Sequence, residues 1–370
     1  MAHLEFHAHA HAMKRDYRLS PLNVYWEVTN ACALACKHCR AMAVPTPPPG
    51  ELSTEEGLAF LRSLRGFQEG GGALPNLVLT GGDPLARPDL LTLVDEAVAQ
   101  GISTAVTPSA TPKLTREVLA ELHAHGVSAF GSSLDGSTAA RHDGIRGVAG
   151  CYEKTLQAAK WVAELGVPLQ INTLVAKETM EDLPAVAELL KSLGIARWSL
   201  FFLISVGRGT GLEPVTAPEA ERILEWLAER SHDLPYVVST TEAPFYRRVL
   251  LASARASDGQ RPSKERAAPA GAVRDGHGVV FVSSRGEVCP SGFLPVAAGN
   301  VKKQSIVELY RESDMFRRLH DVDGFVGRCG VCEYRGVCGG SRARAFASTG
   351  SAFESDPACV HEPAHAAAEE

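Results

Sequence analysis

Long apolar runs are missing from this sequence of 370 residues. No stretch approaches the roughly 20 apolar residues that a membrane-spanning helix needs, and the histidine-rich residues 1–13 lack the apolar core of a secretory signal. An excess of positive charge is missing as well, because the net charge is −6. We therefore expect a cytoplasmic protein that binds neither a membrane nor nucleic acid, and whose residues 1–19 form a flexible tail.

Cysteine is present at nine positions, three of them close together. In a reducing cytoplasm such thiols are more often metal ligands than disulfide partners. Cys32, Cys36 and Cys39 form a Cys-x3-Cys-x2-Cys triplet just after an apolar run that predicts a β-strand. Iron–sulfur cubanes ordinarily take four cysteines, so a triplet leaves one iron open to a small molecule. Zinc is the alternative, but zinc sites usually pair Cys-x2-Cys with a second, distant pair.

The triplet resembles the cluster loop of the radical SAM enzymes. In that family the open iron of a [4Fe–4S] cluster binds S-adenosylmethionine (SAM), and an electron from the cluster cleaves SAM to a 5'-deoxyadenosyl radical. His38 stands where the family prefers an aromatic residue, just before the last cysteine. The resemblance implies that Cys32, Cys36 and Cys39 are the catalytic ligands and that His38 lies beside SAM.

Short apolar runs alternate with amphipathic segments from residue 22 onward. The predicted strands are Leu22–Val28, Asn76–Thr80, Ile102–Thr107, Ser128–Leu134, Leu169–Val175 and Trp198–Ile204. The predicted helices are Thr54–Arg65, Pro88–Gln100, Thr115–His125, Tyr152–Leu165, Leu183–Leu193 and Pro218–Arg230. Ser53 and Glu56 predict a capping box, and the predicted helices end at glycines in the left-handed conformation, which are Gly101, Gly126, Gly166 and Gly194.

Six β–α units in series predict an α/β protein with a parallel sheet and right-handed crossovers. The pattern alone does not separate an open doubly wound sheet from a partial barrel. The resemblance implies a partial (β/α)6 TIM-type barrel with its site at the C-terminal ends of the strands. We assign the barrel to residues 20–235, a bridging segment to 236–286 with a mobile loop at Ser253–Asp275, and an iron–sulfur extension to 287–370.

Further motifs follow the strands in the order that the family has for its SAM contacts. Paired glycines allow close approach to a ligand, and Gly81-Gly82-Asp83-Pro84 resembles the GGEP-type motif for the SAM ammonium, with Asp where Glu is commoner. The other positions implied are Ser133 and Arg146 near the SAM carboxylate, Asn172 at the ribose or carboxylate, and Gly207 near the adenine. Turn chemistry and surface ion pairing are the alternative interpretations of these residues.

Four more cysteines lie near the C-terminus, and their spacing is Cys-x2-Cys-x5-Cys-x20-Cys. Cys329, Cys332, Cys338 and Cys359 would complete the ligand set of an auxiliary [4Fe–4S] cluster, with tetrahedral zinc as the alternative. This region resembles the SPASM and twitch extensions of the family. It departs from the seven-cysteine SPASM pattern, because Gln304 and Arg342 stand where cysteines are expected, so we predict one auxiliary cluster. Cys289 is either an active-site residue or a small apolar residue.

The spacing of the four cysteines resembles that of tetrapyrrole-modifying radical SAM enzymes, the alternative haem synthases and their haem d1 relatives. This implies oxidative decarboxylation of propionate side chains, with a small electron donor such as ferredoxin or flavodoxin. The arginines proposed to pair with propionates are Arg146, Arg208, Arg342 and Arg344, with ordinary exposed surface arginines as the alternative interpretation.

Two other functions remain open. Peptide maturases use the same machinery, but they often carry an N-terminal peptide-binding domain, for which the residues before the first strand leave no room. An electron carrier without catalysis would need four ligands at the first cluster.

Overall fold

The computed structural model describes residues 15–256 and 273–364. Ten strands form one sheet. They are β1 (Asn23–Glu27), β2 (Asn76–Thr80), β3 (Thr104–Val106), β4 (Ala129–Ser133), β5 (Leu169–Val175), β6 (Arg197–Phe202), β7 (Val237–Thr241), β8 (Val279–Val282), β9 (Glu287–Cys289) and β10 (Gly299–Asn300). Their order in the sheet is β10-β9-β8-β1-β2-β3-β4-β5-β6-β7.

Twelve α-helices accompany the sheet in the described residues. They are α1 (Thr54–Ser63), α2 (Leu90–Ala99), α3 (Arg116–Ala124), α4 (Ala139–Arg146), α5 (Cys151–Glu164), α6 (Leu183–Lys191), α7 (Ala217–Arg230), α8 (Tyr246–Ala256), α9 (Ile306–Glu312), α10 (Asp314–His320), α11 (Gly327–Val331) and α12 (Arg342–Thr349). The capping box of α1 is confirmed, since Ser53 accepts from the Glu56 amide and Glu56 accepts from the Ser53 amide. The four predicted closing glycines all have positive φ.

Strands β1 to β8 pair with one another in parallel, so their C-terminal ends meet at one edge of the sheet. Glu27 is in register with Thr80 at that edge, and Ser133 is in register with Asn172. The predicted α/β fold with its six β–α units is confirmed. The series is extended by β7 beyond β6 and by β8, which pairs with β1 although more than 200 residues separate them.

The two faces of the sheet differ in what they contact. Trp26 is fully buried and its ring lies 5.1 Å from that of Phe60 on α1. Since side chains alternate along a strand, Tyr25 and Glu27 point to the opposite face, the interior of the partial barrel. Polar side chains at the ends of the strands therefore gather inside the C-terminal edge.

Two local features differ from the predictions. Helix α4 was not expected, and α8 continues through Ala256 into the predicted mobile loop, whose first four residues are thus helical. Positions 257–272 of that loop and 1–14 of the predicted tail lie outside the described residues. Among the helices that the structure describes, none is long and apolar enough to cross a membrane.

Candidate active site and auxiliary metal site

The cysteine triplet lies in the loop that follows β1, and its sulfurs receive polar contacts from the protein. The amide of Leu34 donates to Cys32 Sγ at 3.4 Å, and the amide of Ala43 donates to Cys39 Sγ at 3.4 Å. Arg146 Nη1 lies 3.7 Å from Cys36 Sγ. Donors aimed at sulfur stabilise thiolates and tune the potential of a cluster. The triplet thus has the surroundings of a metal-binding loop.

Three glycines hold this loop from three different β–α units. A Cβ on Gly82 would lie 2.4 Å from the Ala31 carbonyl oxygen, and one on Gly147 would lie 2.6 Å from the Ala35 carbonyl oxygen. A Cβ on Gly207 would lie 2.4 Å from the Arg40 carbonyl oxygen. Only glycine permits such close approach of two backbones. Gly81 is also in the left-handed half of φ space and packs against Thr29.

Arg146 forms a buried ion pair with Asp135, a residue that the sequence did not single out. Arg146 Nη2 lies 2.6 Å from Asp135 Oδ2, and Asp135 Oδ1 accepts from the Leu174 amide at 2.8 Å. Burial opposes ionisation of Asp135, but the guanidinium of Arg146 holds the pKa of that carboxyl below its ordinary value. His142 Nδ1 accepts from the Asp135 amide at 3.0 Å, and burial lowers the pKa of His142 to about 4. The pair therefore holds Arg146 in a fixed position beside Cys36.

Arg208 ties the loop after β6 to the cysteine loop. Its Nε donates to the Cys36 carbonyl at 2.9 Å, and its Nη1 donates to the Ala43 carbonyl at 3.0 Å. The Arg208 amide donates to the Cys39 carbonyl at 3.0 Å. Arg208 thus fixes the backbone of the loop around Gly207.

Asp83 is turned toward the loop after β3. Its Oδ1 accepts from the amides of Leu85 and Ser109, both at 3.2 Å, and its Oδ2 accepts from Thr111 Oγ1 at 2.7 Å. Burial raises the pKa of Asp83 above its ordinary value. Three bonds leave this carboxylate at most one lone-pair position for a ligand. Pro84 begins the short helical turn that Asp83 caps.

The remaining predicted SAM contacts lie around the same edge. Ser133 and Asn172 end neighbouring strands in register, and Asn172 Oδ1 accepts from Gln170 at 2.8 Å. His38 Nδ1 is buried without a hydrogen-bond partner among the described residues. Burial lowers the pKa of His38 to about 4, so its ring is neutral near pH 7. An unpartnered buried ring nitrogen is a group that a bound ligand would satisfy.

The four C-terminal cysteines line a single cavity. The Tyr334 amide donates to Cys332 Sγ and the Gly340 amide to Cys338 Sγ, each at 3.4 Å and each from two residues further along the chain. Cys329 Sγ accepts from the Asp356 amide at 3.4 Å. Burial raises the pKa of Cys338 to about 12 and that of Cys359 to about 11. A bound metal would deprotonate buried thiols of this kind.

Residues that the sequence did not assign to a metal site surround these cysteines. Arg342 is completely buried, donates to the carbonyls of Ala352 and Glu354, and lies with Nη2 3.5 Å from Cys329 Sγ. His361 Nε2 lies 2.9 Å from Glu333 Oε1, and ligand atoms of these two residues and Cys332 all lie within 4.8 Å of one another. The three neighbours stand within four residues of a cysteine in the sequence, but the spacing of the cysteines alone does not show which side chains turn toward the thiols.

Comparisons with known proteins agree with this geometry. Residues 26–190 match the family described as the Radical SAM superfamily. The chain is 36% identical over 346 residues to an AdoMet-dependent heme synthase of Methanosarcina barkeri, covering 93% of this chain and 97% of that protein. It is 30% identical over 353 residues to a PqqA peptide cyclase of Rhodopseudomonas palustris, covering 93% and 88%.

A solved structure has the same fold. It is the crystal structure of Streptococcus suis SuiB bound to S-adenosylmethionine, with a TM-score of 0.69, 16% sequence identity, and coverage of 92% of this chain and 77% of that chain.

Proposed function

Because this chain belongs to the radical SAM superfamily, we propose that it is an enzyme of tetrapyrrole biosynthesis that oxidatively decarboxylates propionate side chains to vinyl groups. The similarity to a named heme synthase over nearly the full length of both chains is the observation that carries this proposal. Each turnover removes one hydrogen atom from the propionate β-carbon, breaks the bond to the carboxylate carbon to release carbon dioxide, and leaves one electron to be removed.

Cys32, Cys36 and Cys39 are proposed to hold the catalytic [4Fe–4S] cluster. Two amides and a guanidinium directed at the three sulfurs support this assignment. When bound, the cluster and SAM together supply the 5'-deoxyadenosyl radical that abstracts the substrate hydrogen. The protein positions the loop through Gly82, Gly147 and Gly207 and buries Cys32 and Cys36.

The proposed SAM contacts are the residues predicted from the sequence, and the geometry of the structure refines their roles. The backbone of Gly81 to Pro84 would face the SAM ammonium, since the Asp83 side chain already has three partners. Arg146, held by Asp135, would present its remaining donors to the SAM carboxylate. The other contacts proposed are His38, Ser133, Asn172 and Gly207.

Cys329, Cys332, Cys338 and Cys359 are proposed to hold one auxiliary [4Fe–4S] cluster. Four thiols around one cavity, three of which accept hydrogen bonds from backbone amides, fit a fully ligated cluster. When bound, this cluster supplies a site that can take up an electron. Zinc remains the alternative, and iron, sulfide and zinc analysis of Cys36→Ala protein would separate the two. A ferredoxin or flavodoxin is the proposed electron donor, in a reducing cytoplasm that suits nine free thiols.

A peptide maturase is the second candidate, because one relative is named as a peptide cyclase. The test is to measure 5'-deoxyadenosine formed by anaerobically reconstituted protein, with SAM and a strong reductant, with and without iron-coproporphyrin III. Stimulation by the porphyrin, with loss of carboxyl mass, would support the proposal. Slow cleavage that ignores the porphyrin would contradict it and favour a peptide substrate.

Variants sharpen the test. Cys36→Ala should abolish SAM cleavage, and Cys329→Ala should keep some uncoupled cleavage while losing product. Formation of 5'-deoxyadenosine by Cys36→Ala protein would refute the catalytic assignment itself.

A further inference from the structure

The four arginines that the sequence suggested for propionates are all engaged by the protein. Arg146 pairs with Asp135, and Arg208 donates to two backbone carbonyls. Arg342 is fully buried against carbonyls, and Arg344 lies 3.3 Å from Asp356. Arg208, Arg342 and Arg344 are occupied by the protein and Arg146 is proposed for SAM, so a substrate carboxylate needs another cation.

Arg40, directly after Cys39, has donors to spare. Its Nη1 lies 3.2 Å from Glu27 Oε2, and its guanidinium makes no other hydrogen bond within the part of the chain that the structure describes. A guanidinium carries five N–H donors, so four stay unpaired. The side chain is 20% exposed, and that of Glu27 is 8% exposed. The ion pair is therefore mostly buried, but the Arg40 side chain keeps some contact with solvent.

The surroundings of Arg40 hold its guanidinium in place from three sides. Glu27 ends β1 on the interior face of the sheet, opposite to Trp26. The guanidinium carbon lies 4.3 Å from the centre of the Phe281 ring on β8, a cation–π contact. A Cβ on Gly292 would lie 2.7 Å from Arg40 Nε, so this glycine leaves room for the planar group.

Two further aromatic side chains lie near Gly292, which contacts Arg40. The rings of Phe201 on β6 and Phe293, just after Gly292, lie 6.4 Å apart, and both side chains are half-buried. A fixed guanidinium together with partly exposed rings suits a flat, apolar molecule that bears carboxylates.

We propose that Arg40 binds a carboxylate of the substrate and that Glu27 and Phe281 hold its guanidinium in the orientation this requires. The inference rests on the proposed function and names the anchoring residue. Arginine matches a carboxylate with two parallel N–H donors, and Glu27 occupies only one Nη1 donor. Glu27 also compensates the charge of Arg40 in the absence of substrate. Since Arg40 adjoins Cys39, a substrate carboxylate bound by Arg40 would bring the propionate that bears it close to the catalytic loop.

The test compares binding of iron-coproporphyrin III with binding of its tetramethyl ester, followed by the change in porphyrin absorption on anaerobic titration. Wild-type protein should bind the free acid at least about tenfold more tightly than the ester, as expected for charge-assisted hydrogen bonds. Arg40→Gln should lose most of this preference, and Arg40→Lys should keep part of it. Arg62→Gln, which removes an arginine whose exposed side chain pairs with Glu96, should behave as wild type.

The ratio of two affinities within one protein does not depend on how much of it is folded. If Arg40→Gln keeps the wild-type preference for the free acid, the Arg40 inference is overturned while the proposed function stands. If wild-type protein binds neither porphyrin, both are overturned. If Arg62→Gln loses the preference as Arg40→Gln does, the effect is general charge and the inference is again wrong.

Discussion

Replacing Gly147 by alanine should damage the catalytic loop far more than the same change at Gly150. Both glycines have positive φ, 73° and 85°, and they lie at the two ends of one short segment between α4 and α5. A Cβ on Gly147 would lie 2.6 Å from the Ala35 carbonyl oxygen, whereas a Cβ on Gly150 would meet nothing within 4 Å. The two variants therefore share the backbone strain and differ in the contact.

The magnitudes follow from these two terms. Alanine in the left-handed region costs about 1 kcal/mol of unfolding free energy, and this applies to both variants. Forcing a methyl group into a closed contact adds about 1–3 kcal/mol at Gly147 alone. The relief available is a shift of Ala35, which moves the adjacent Cys36. Gly147→Ala should thus lose about 2–4 kcal/mol in total and bind less iron at the catalytic loop.

The assay is urea unfolding of both anaerobically reconstituted variants, together with iron content and 5'-deoxyadenosine formation. Gly150→Ala should keep wild-type iron content and lose only about 1 kcal/mol of unfolding free energy. Equal losses of stability and iron in the two variants would show that strain alone matters and would refute the argument that Gly147 positions the cysteine loop.

Three further changes have defined outcomes. Burial, with Asp275 nearby, raises the pKa of Glu242 well above its ordinary value, so stability falls as pH rises from the unfolded pKa toward the folded one. Glu242→Gln should therefore gain more thermal stability at about pH 8 than at about pH 5, and an equal gain at both would contradict this. Arg342→Met should lose about 3 kcal/mol in urea unfolding and lower the iron content of the auxiliary site, with unchanged iron as the contrary result. Asp135→Asn removes the carboxylate that pairs with Arg146 and should lower the free energy of unfolding by about 3–5 kcal/mol. Unchanged stability in the same urea unfolding assay would contradict this.

The strands of the barrel were largely predictable because each β–α unit begins with a short apolar run that is visible in the local sequence. The bounds predicted for the second and fifth strands are those of β2 and β5, and the others differ by a few residues at their ends. Strand β7 was not predicted, since its residues are half-buried or exposed and show no alternation. Strand β8 was missed for another reason. Val279 pairs with Asn23, and no local pattern reports a partner so distant in sequence.

The site was predictable only where its chemistry is local in sequence. Cysteine spacing predicted two groups of thiols, and the structure brings the members of each group together, the triplet in one loop and the other four around one cavity. The partners of those thiols come from separate units. Asp135 lies just after β4 and pairs with Arg146 at the end of α4. Nothing in the sequence distinguishes such a buried ion pair from one on the surface. The role of Arg208 could not be predicted either. Its acceptors are backbone carbonyls, which every residue has and which the sequence therefore does not mark.

These contacts give a physical reason to consider the motifs of the predicted SAM site together. The cysteine loop contains no helix or strand of its own, so its shape is set by the elements that touch it. Gly82 follows β2, Gly147 follows α4 and Gly207 follows β6, and each contacts a different part of the loop. Each glycine restricts a different part of the loop, so the three contacts together act on one segment. The motifs therefore depend on one another through a single loop, and they are interpretable together because the fold brings them together.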